Sequence, residues 1–107
     1  MKMNNLQFIA TYIAENIENP EKRTYSNIIQ NLMLWKGYPL HKVANIGGQY
    51  STYFRQSHVW VNPVSKRAYR SEGYKGWLWE KEDPNNRKSP FKLTERGLGY
   101  VIKKEKN

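Results

Sequence analysis

The chain has 107 residues, 38% hydrophobic and 14% aromatic, which is enough apolar material for the core of one domain and the wrong composition for a disordered chain. It has no Cys, which excludes a disulfide framework and a thiolate metal site, and no apolar run near the roughly 20 residues that cross a membrane. Eighteen Lys and Arg against nine Asp and Glu leave a net charge of +9, a balance that favours a polyanion such as nucleic acid as partner.

The charge is uneven. Residues 1–20 carry a net of −1, residues 21–58 a net of +4, and residues 59–107 hold twelve bases against six acids. The N-terminal segment is therefore the poorest candidate for polyanion contact. Lys2 is soon followed by two Asn and an amphipathic stretch, not by the continuous apolar run of a signal peptide, so a soluble protein of the cytoplasm or nucleoid is expected.

The stretch "NNLQFIATYIAENIENP" places Leu6, Ile9, Ala10, Ile13 and Ile17 at helical spacing, with Asn4 or Asn5 as cap and Pro20 as stop. Phe8 and Tyr12 widen the apolar face, which suits core packing or a dimer contact. "RTYSNIIQNLMLWKG" predicts a second helix. Thr24 offers its hydroxyl to a first-turn amide, Ile28, Ile29, Leu32, Met33 and Trp35 supply the buried face, and Gly37 with Pro39 ends it.

Leu40–Ile46 predicts a short helix and the Gly47-Gly48 pair a break. "GQYSTYFRQS" then predicts a third helix over about Gly48–Ser57. Tyr50 and Phe54, four apart, point inward and leave Gln49, Thr52, Tyr53, Arg55 and Gln56 on the other faces. Gln and Arg can make bidentate contacts with base edges, although the same residues also make an ordinary solvated face.

After Ser57 the texture changes. "HVWV", "KRAYR", "GWLWEK" and "PFKLT" are short, aromatic or β-branched, and partly alternating, as strands are. "NPVS" at 62–65 and "EDPNNRKSP" at 82–90 are turn-rich separators. The first closes a hairpin from His58 to Arg70. The second pairs Trp77–Lys81 with Pro90–Thr94.

Three helices, a hairpin with a basic tip, then "FKLTERG" and a short last helix: this order resembles the winged helix-turn-helix DNA-binding domains. In that family the second wing strand often ends in Leu-Thr-x-x-Gly, here Leu93–Gly97. Physically, Thr94 can cap the last helix, Glu95 suits its positive N-terminal end, and Gly97 allows close packing on a neighbour. The resemblance implies one α+β domain over residues 1–107, with three N-terminal helices, a small antiparallel sheet as the wing, and a short C-terminal helix. It implies that the third helix enters the major groove, where Arg55 with Gln56 or Gln49 would discriminate bases. It also implies that the wing, Trp77–Thr94, lies on the backbone or in the minor groove, with Arg87 and Lys88 at its tip on phosphates. The chain departs from the family over about 58–76, an inserted basic hairpin where the family has a brief connection. Its Lys66, Arg67, Arg70 and Lys75, with Tyr69 and Tyr74, form a second candidate contact surface or a cover for the core.

Site chemistry for catalysis is sparse. His41 and His58 are the only histidines, and neither has Cys, Asp or Glu at metal-ligand spacing. "NIGGQ" lacks the Lys-Ser/Thr of a phosphate-binding loop. Glu80, Glu82 and Asp83, beside Lys81, read as a solvated hairpin end and not as a nuclease centre. The expectation is a non-enzyme without cofactor or metal that binds double-stranded DNA, as a small transcriptional regulator or a DNA-reading module. Two other readings stay open: a protein-interaction module docking through Trp60, Trp77 and Trp79, and an RNA-binding module that stacks bases on its aromatic sheet. A homodimer would use the first helix or the inserted hairpin.

Overall fold

In the computed structural model, which describes residues 3–42, 47–71 and 73–102, the chain enters helix α1, Asn5–Glu15. Asn4 starts it. Its Oδ1 accepts from Gln7 N at 2.8 Å while Gln7 Oε1 accepts from Asn4 N at 3.0 Å, a reciprocal cap that satisfies two otherwise unpaired donors. Ile9, Ala10 and Ile13 form the buried stripe. The stripe does not extend to Ile17 as its spacing predicts: the helix stops at Glu15, and Ile17 is 57% exposed. Pro20 opens a 3₁₀ turn, Pro20–Arg23.

Helix α2, Tyr25–Trp35, buries Ile28, Ile29, Leu32 and Met33 in the same core. Thr24 occupies the N-cap position with an extended backbone, but its hydroxyl makes no capping bond, contrary to the expectation. The last turn closes as predicted, through Gly37 at φ +96° and a bond from Tyr38 N to Met33 O of 3.0 Å. Trp35 is half-exposed rather than buried, its ring stacked on Phe8 with centroids 4.6 Å apart.

Leu40–Lys42 forms one 3₁₀ turn; the rest of the predicted short helix, residues 43–46, lies outside the described residues. The predicted third α-helix is corrected here. Gly47–Phe54 is a 3₁₀ segment, and it stops three residues short of Ser57. The reason is a chain crossing. Lys75 N donates to Arg55 O at 3.0 Å, and Gly73 lies so close that a Cβ there would fall 2.0 Å from the same oxygen. The returning chain takes the acceptor that a continuing helix would need. Phe54 pins the segment from the other side, with its ring 5.3 Å from Tyr25, 5.6 Å from Trp79 and 5.0 Å from Phe91.

The strands form two separate antiparallel pairs. Strands β1 (His58–Val61) and β2 (Ala68–Ser71) make the inserted hairpin, with Trp60 opposite Tyr69 and Val59 opposite Arg70. Strands β3 (Trp79–Lys81) and β4 (Phe91–Leu93) make the second, with Trp79 opposite Leu93 and Glu80 opposite Lys92. The predicted pairing of the second hairpin is therefore present, over a shorter span than Trp77–Lys81 with Pro90–Thr94. Trp79 belongs to the core and not to a docking surface: it is fully buried with Leu78 and Phe91, and its Nε1 donates to Tyr53 O at 2.7 Å.

Helix α3, Glu95–Leu98, follows as expected from "LTERG". Thr94 Oγ1 accepts from Gly97 N at 3.1 Å and donates to Trp77 O at 2.6 Å. A Cβ at Gly97 would fall 1.9 Å from Leu78 O, so only glycine lets α3 approach β3 this closely. The fold is α+β, with three α-helices and two small antiparallel sheets among the described residues. Ile9, Ile13, Ile28, Leu32 and Phe54 share one core, as predicted, and Leu93 and Val101 pack against its edge.

One buried cation ties these parts together. Arg23 is 3% exposed and donates to four oxygens: Asn16 O at 2.9 Å, Ile17 O at 3.1 Å, Phe91 O at 2.8 Å and Glu82 Oε1 at 2.7 Å. Glu82 is thus an ion-pair partner and not simply part of a solvated turn. Arg23→Ala leaves three main-chain acceptors without their donor and should lower the unfolding free energy by at least about 3 kcal/mol in a urea titration. Glu82→Gln should cost only about 1 kcal/mol, because that carboxylate is 39% exposed and an amide oxygen still accepts.

Candidate nucleic-acid interface

The basic and polar side chains singled out in the sequence fall into three groups. The first gathers where the 3₁₀ segment hands over to the inserted hairpin. Arg55 Nη2 donates to Thr52 Oγ1 at 2.8 Å, on an exposed surface. The crossing at Gly73 brings Lys75 beside Arg55, and Gln56 is exposed next to it. Ser57 staples the crossing: its hydroxyl donates to Gly73 O at 2.9 Å and accepts from Gly73 N at 3.0 Å. Thr52, Arg55, Gln56 and Lys75 thus come together although the first and the last are 23 positions apart. The side chain of Gln49 lies outside the described residues.

Tyr53 does not join them. Expected on an outer face, it is half-buried instead, stacked between Tyr50 at 6.2 Å and Tyr74 at 5.5 Å, and its hydroxyl accepts from Asn5 Nδ2 at 3.1 Å. Tyr74 continues the row onto Trp77 at 5.7 Å, so four rings stack in sequence and the last reaches solvent. Burial, and then the neighbouring Tyr38 hydroxyl, hold the Tyr50 phenol above its ordinary value.

The second group is the turn between β1 and β2. Asn62 organises it. Its Oδ1 accepts from Val64 N at 2.8 Å and Ser65 N at 3.2 Å, its carbonyl accepts from Lys66 N at 2.9 Å, and its own N–H donates to Arg67 O at 3.0 Å. Lys66 and Arg67 are exposed on this turn. Arg70 lies on β2, and its side chain is outside the described residues.

The third group is the turn between β3 and β4. Asp83 Oδ1 accepts from Asn85 N at 3.1 Å, Asn86 Oδ1 accepts from Lys88 N at 3.0 Å, and buried Ser89 Oγ accepts from Asp83 N at 2.9 Å. These bonds fix the loop while leaving Arg87 and Lys88 fully on the outside. Among the described residues the ion pairs are Arg23–Glu82 and Lys92–Glu80, the latter at 3.7 Å, so Lys66, Arg67, Arg87 and Lys88 make none there, although Asp83 shares the loop of the last two.

Sequence reasoning missed Arg96. It is exposed on α3 and lines a groove with Tyr74, Trp77 and Tyr100, a neighbourhood that follows from Gly97 docking on Leu78 and carries no local signal. Among the described residues no three His, Cys, Asp or Glu side chains gather as a metal site would require, and no helix is long and apolar enough to cross a membrane. No family model, curated protein or solved structure matches the chain.

The crossing at Gly73 sets the first group, and it can be tested alone. Gly73→Ala should cost about 1–3 kcal/mol of stability by overpacking and strip exchange protection from the Lys75 amide, as read by denaturant titration and hydrogen exchange.

Proposed function

We propose that the protein binds double-stranded DNA through phosphate contacts made by its two basic turns and by the cluster at the hairpin base, in an arrangement like that of a winged helix. The observation that carries this reading is the pair of turns themselves. Each is fixed by side-chain-to-backbone hydrogen bonds, each presents two adjacent cations to solvent, and among the described residues none of these four cations is in an ion pair. Rigid exposed cations of this kind release condensed counterions on meeting a polyphosphate backbone.

The element order and the Thr94-capped closure support the winged-helix comparison, with β3–β4 as the wing. The 3₁₀ segment takes the place of a recognition helix. Its tyrosines and Phe54 turn inward, so what it offers a duplex is its end: Thr52, Arg55 and Gln56. A segment so short suits backbone contact better than deep reading of a groove, and the role follows as a regulator or DNA-reading module of modest intrinsic specificity.

Fluorescence anisotropy with duplex DNA, single-stranded DNA and structured RNA at several salt concentrations tests this. Replacing Arg87 and Lys88 together with Ala should weaken binding to every duplex alike and reduce the salt slope by about 2, at about one per phosphate contact, with the circular dichroism spectrum unchanged. An unchanged slope removes this turn from the interface. Arg55→Ala should also act equally on all duplex sequences; a loss confined to one sequence would make Arg55 a base reader, a contact worth about 1–3 kcal/mol.

A further inference from the structure

We infer that the β1–β2 hairpin is a duplex-gripping arm, whose turn enters the minor groove with Pro63 and Val64 as an apolar wedge and with Lys66 and Arg67 on the flanking phosphates. The inference rests on the duplex-binding reading above and adds a groove, a wedge and a distortion of the DNA.

Four observations carry it. The hairpin is not a cover for the core, because side chains on both of its faces are open to solvent: Val59 is 67% exposed, Val61 58%, and Trp60 with Tyr69 nearly half. A two-stranded ribbon with neither face packed is marginal by itself, so its contacts are made with something else. The charge says what that is. Between His58 and Ser71 the chain carries three bases and no acid, which suits a polyanion and repels another copy of the same ribbon.

The tip is built for contact. Val64 is 90% exposed in the turn, next to exposed Pro63, and the Asn62 side chain holds the amides of Val64 and Ser65. Apolar side chains held at a basic tip are the means by which minor-groove proteins part base steps and kink the duplex.

Lys66 is the fourth observation. It sits at φ +61°, in the left-handed region where Gly or Asn is preferred. No described side-chain hydrogen bond or ion pair accounts for a lysine there, and strain of this kind persists where the side chain has a use. It also supplies a clean variant. Lys66→Gly removes the charge at a position whose backbone glycine adopts more readily.

The experiment uses the full chain and a duplex labelled at both ends for energy transfer, with binding followed by anisotropy. Wild type should bring the labels closer, and netropsin, which occupies the minor groove, should displace it. Val64→Ser, alone and with Pro63→Ala, should abolish the change in transfer while binding persists. Lys66→Gly should lower the salt slope by about 1 with an unchanged or higher melting temperature. Duplex binding that is insensitive to netropsin and to all three variants overturns the arm and leaves the broader reading standing. Variants that alter sedimentation but not duplex affinity overturn it in favour of contact with a second copy. No binding to any duplex removes both.

Discussion

Arg23 is the hub on which the rest depends. Its guanidinium gathers the carbonyl groups that end α1, the carbonyl of Phe91 on β4, and the carboxylate of Glu82, at the point where the apolar core meets the second hairpin. A buried guanidinium is tolerable only if its donors are used, and here every nitrogen has a partner. The consequence is positional. The turn carrying Arg87 and Lys88 begins at Glu82, so that exposed loop is anchored at its base by a buried cation.

The body of the molecule and its basic surfaces follow opposite rules. In the body, aromatic rings fill space between two short helices and a three-residue strand pair, and Trp79 Nε1 adds a hydrogen bond from the sheet to the 3₁₀ segment at Tyr53 O. At the surfaces, order comes from Asn, Asp and Ser side chains bonded to nearby amides, with no apolar burial. Such turns hold a shape at little cost in core material, which matters in a chain that has only 107 residues from which to build both.

What was legible in the sequence was what depends on neighbours in the chain. The apolar spacing of Ile9 and Ile13 or of Ile28 and Leu32, the closure at Gly37, the two hairpins and the Thr94 cap all have local causes, and all are present. What was not legible depends on distant pairs. Arg23 and Glu82 lie 59 positions apart, and Glu82 read as part of a solvated turn. The third helix has an inward Tyr50 and Phe54 at α-helical spacing, yet the chain returning at Gly73 captures the carbonyl of Arg55. No periodicity foretells that. Tyr53 was misplaced for the same reason, since its stacking partner Tyr74 arrives with the returning chain.

The crossing at Gly73 gives the hairpin a narrow fulcrum. From Ser57 to its turn the ribbon spans about five residues, or roughly 17 Å at the usual rise of a strand. A tilt of about 10° at the fulcrum therefore displaces the tip by about 3 Å, roughly half the width of a minor groove. The two hydrogen bonds between Ser57 and Gly73, and the missing Cβ that lets Gly73 lie against Arg55 O, are what keep the lever aimed. Aim at the far end is thus governed by a contact at the base of the ribbon, and a methyl group added there would be felt as lost alignment at the tip.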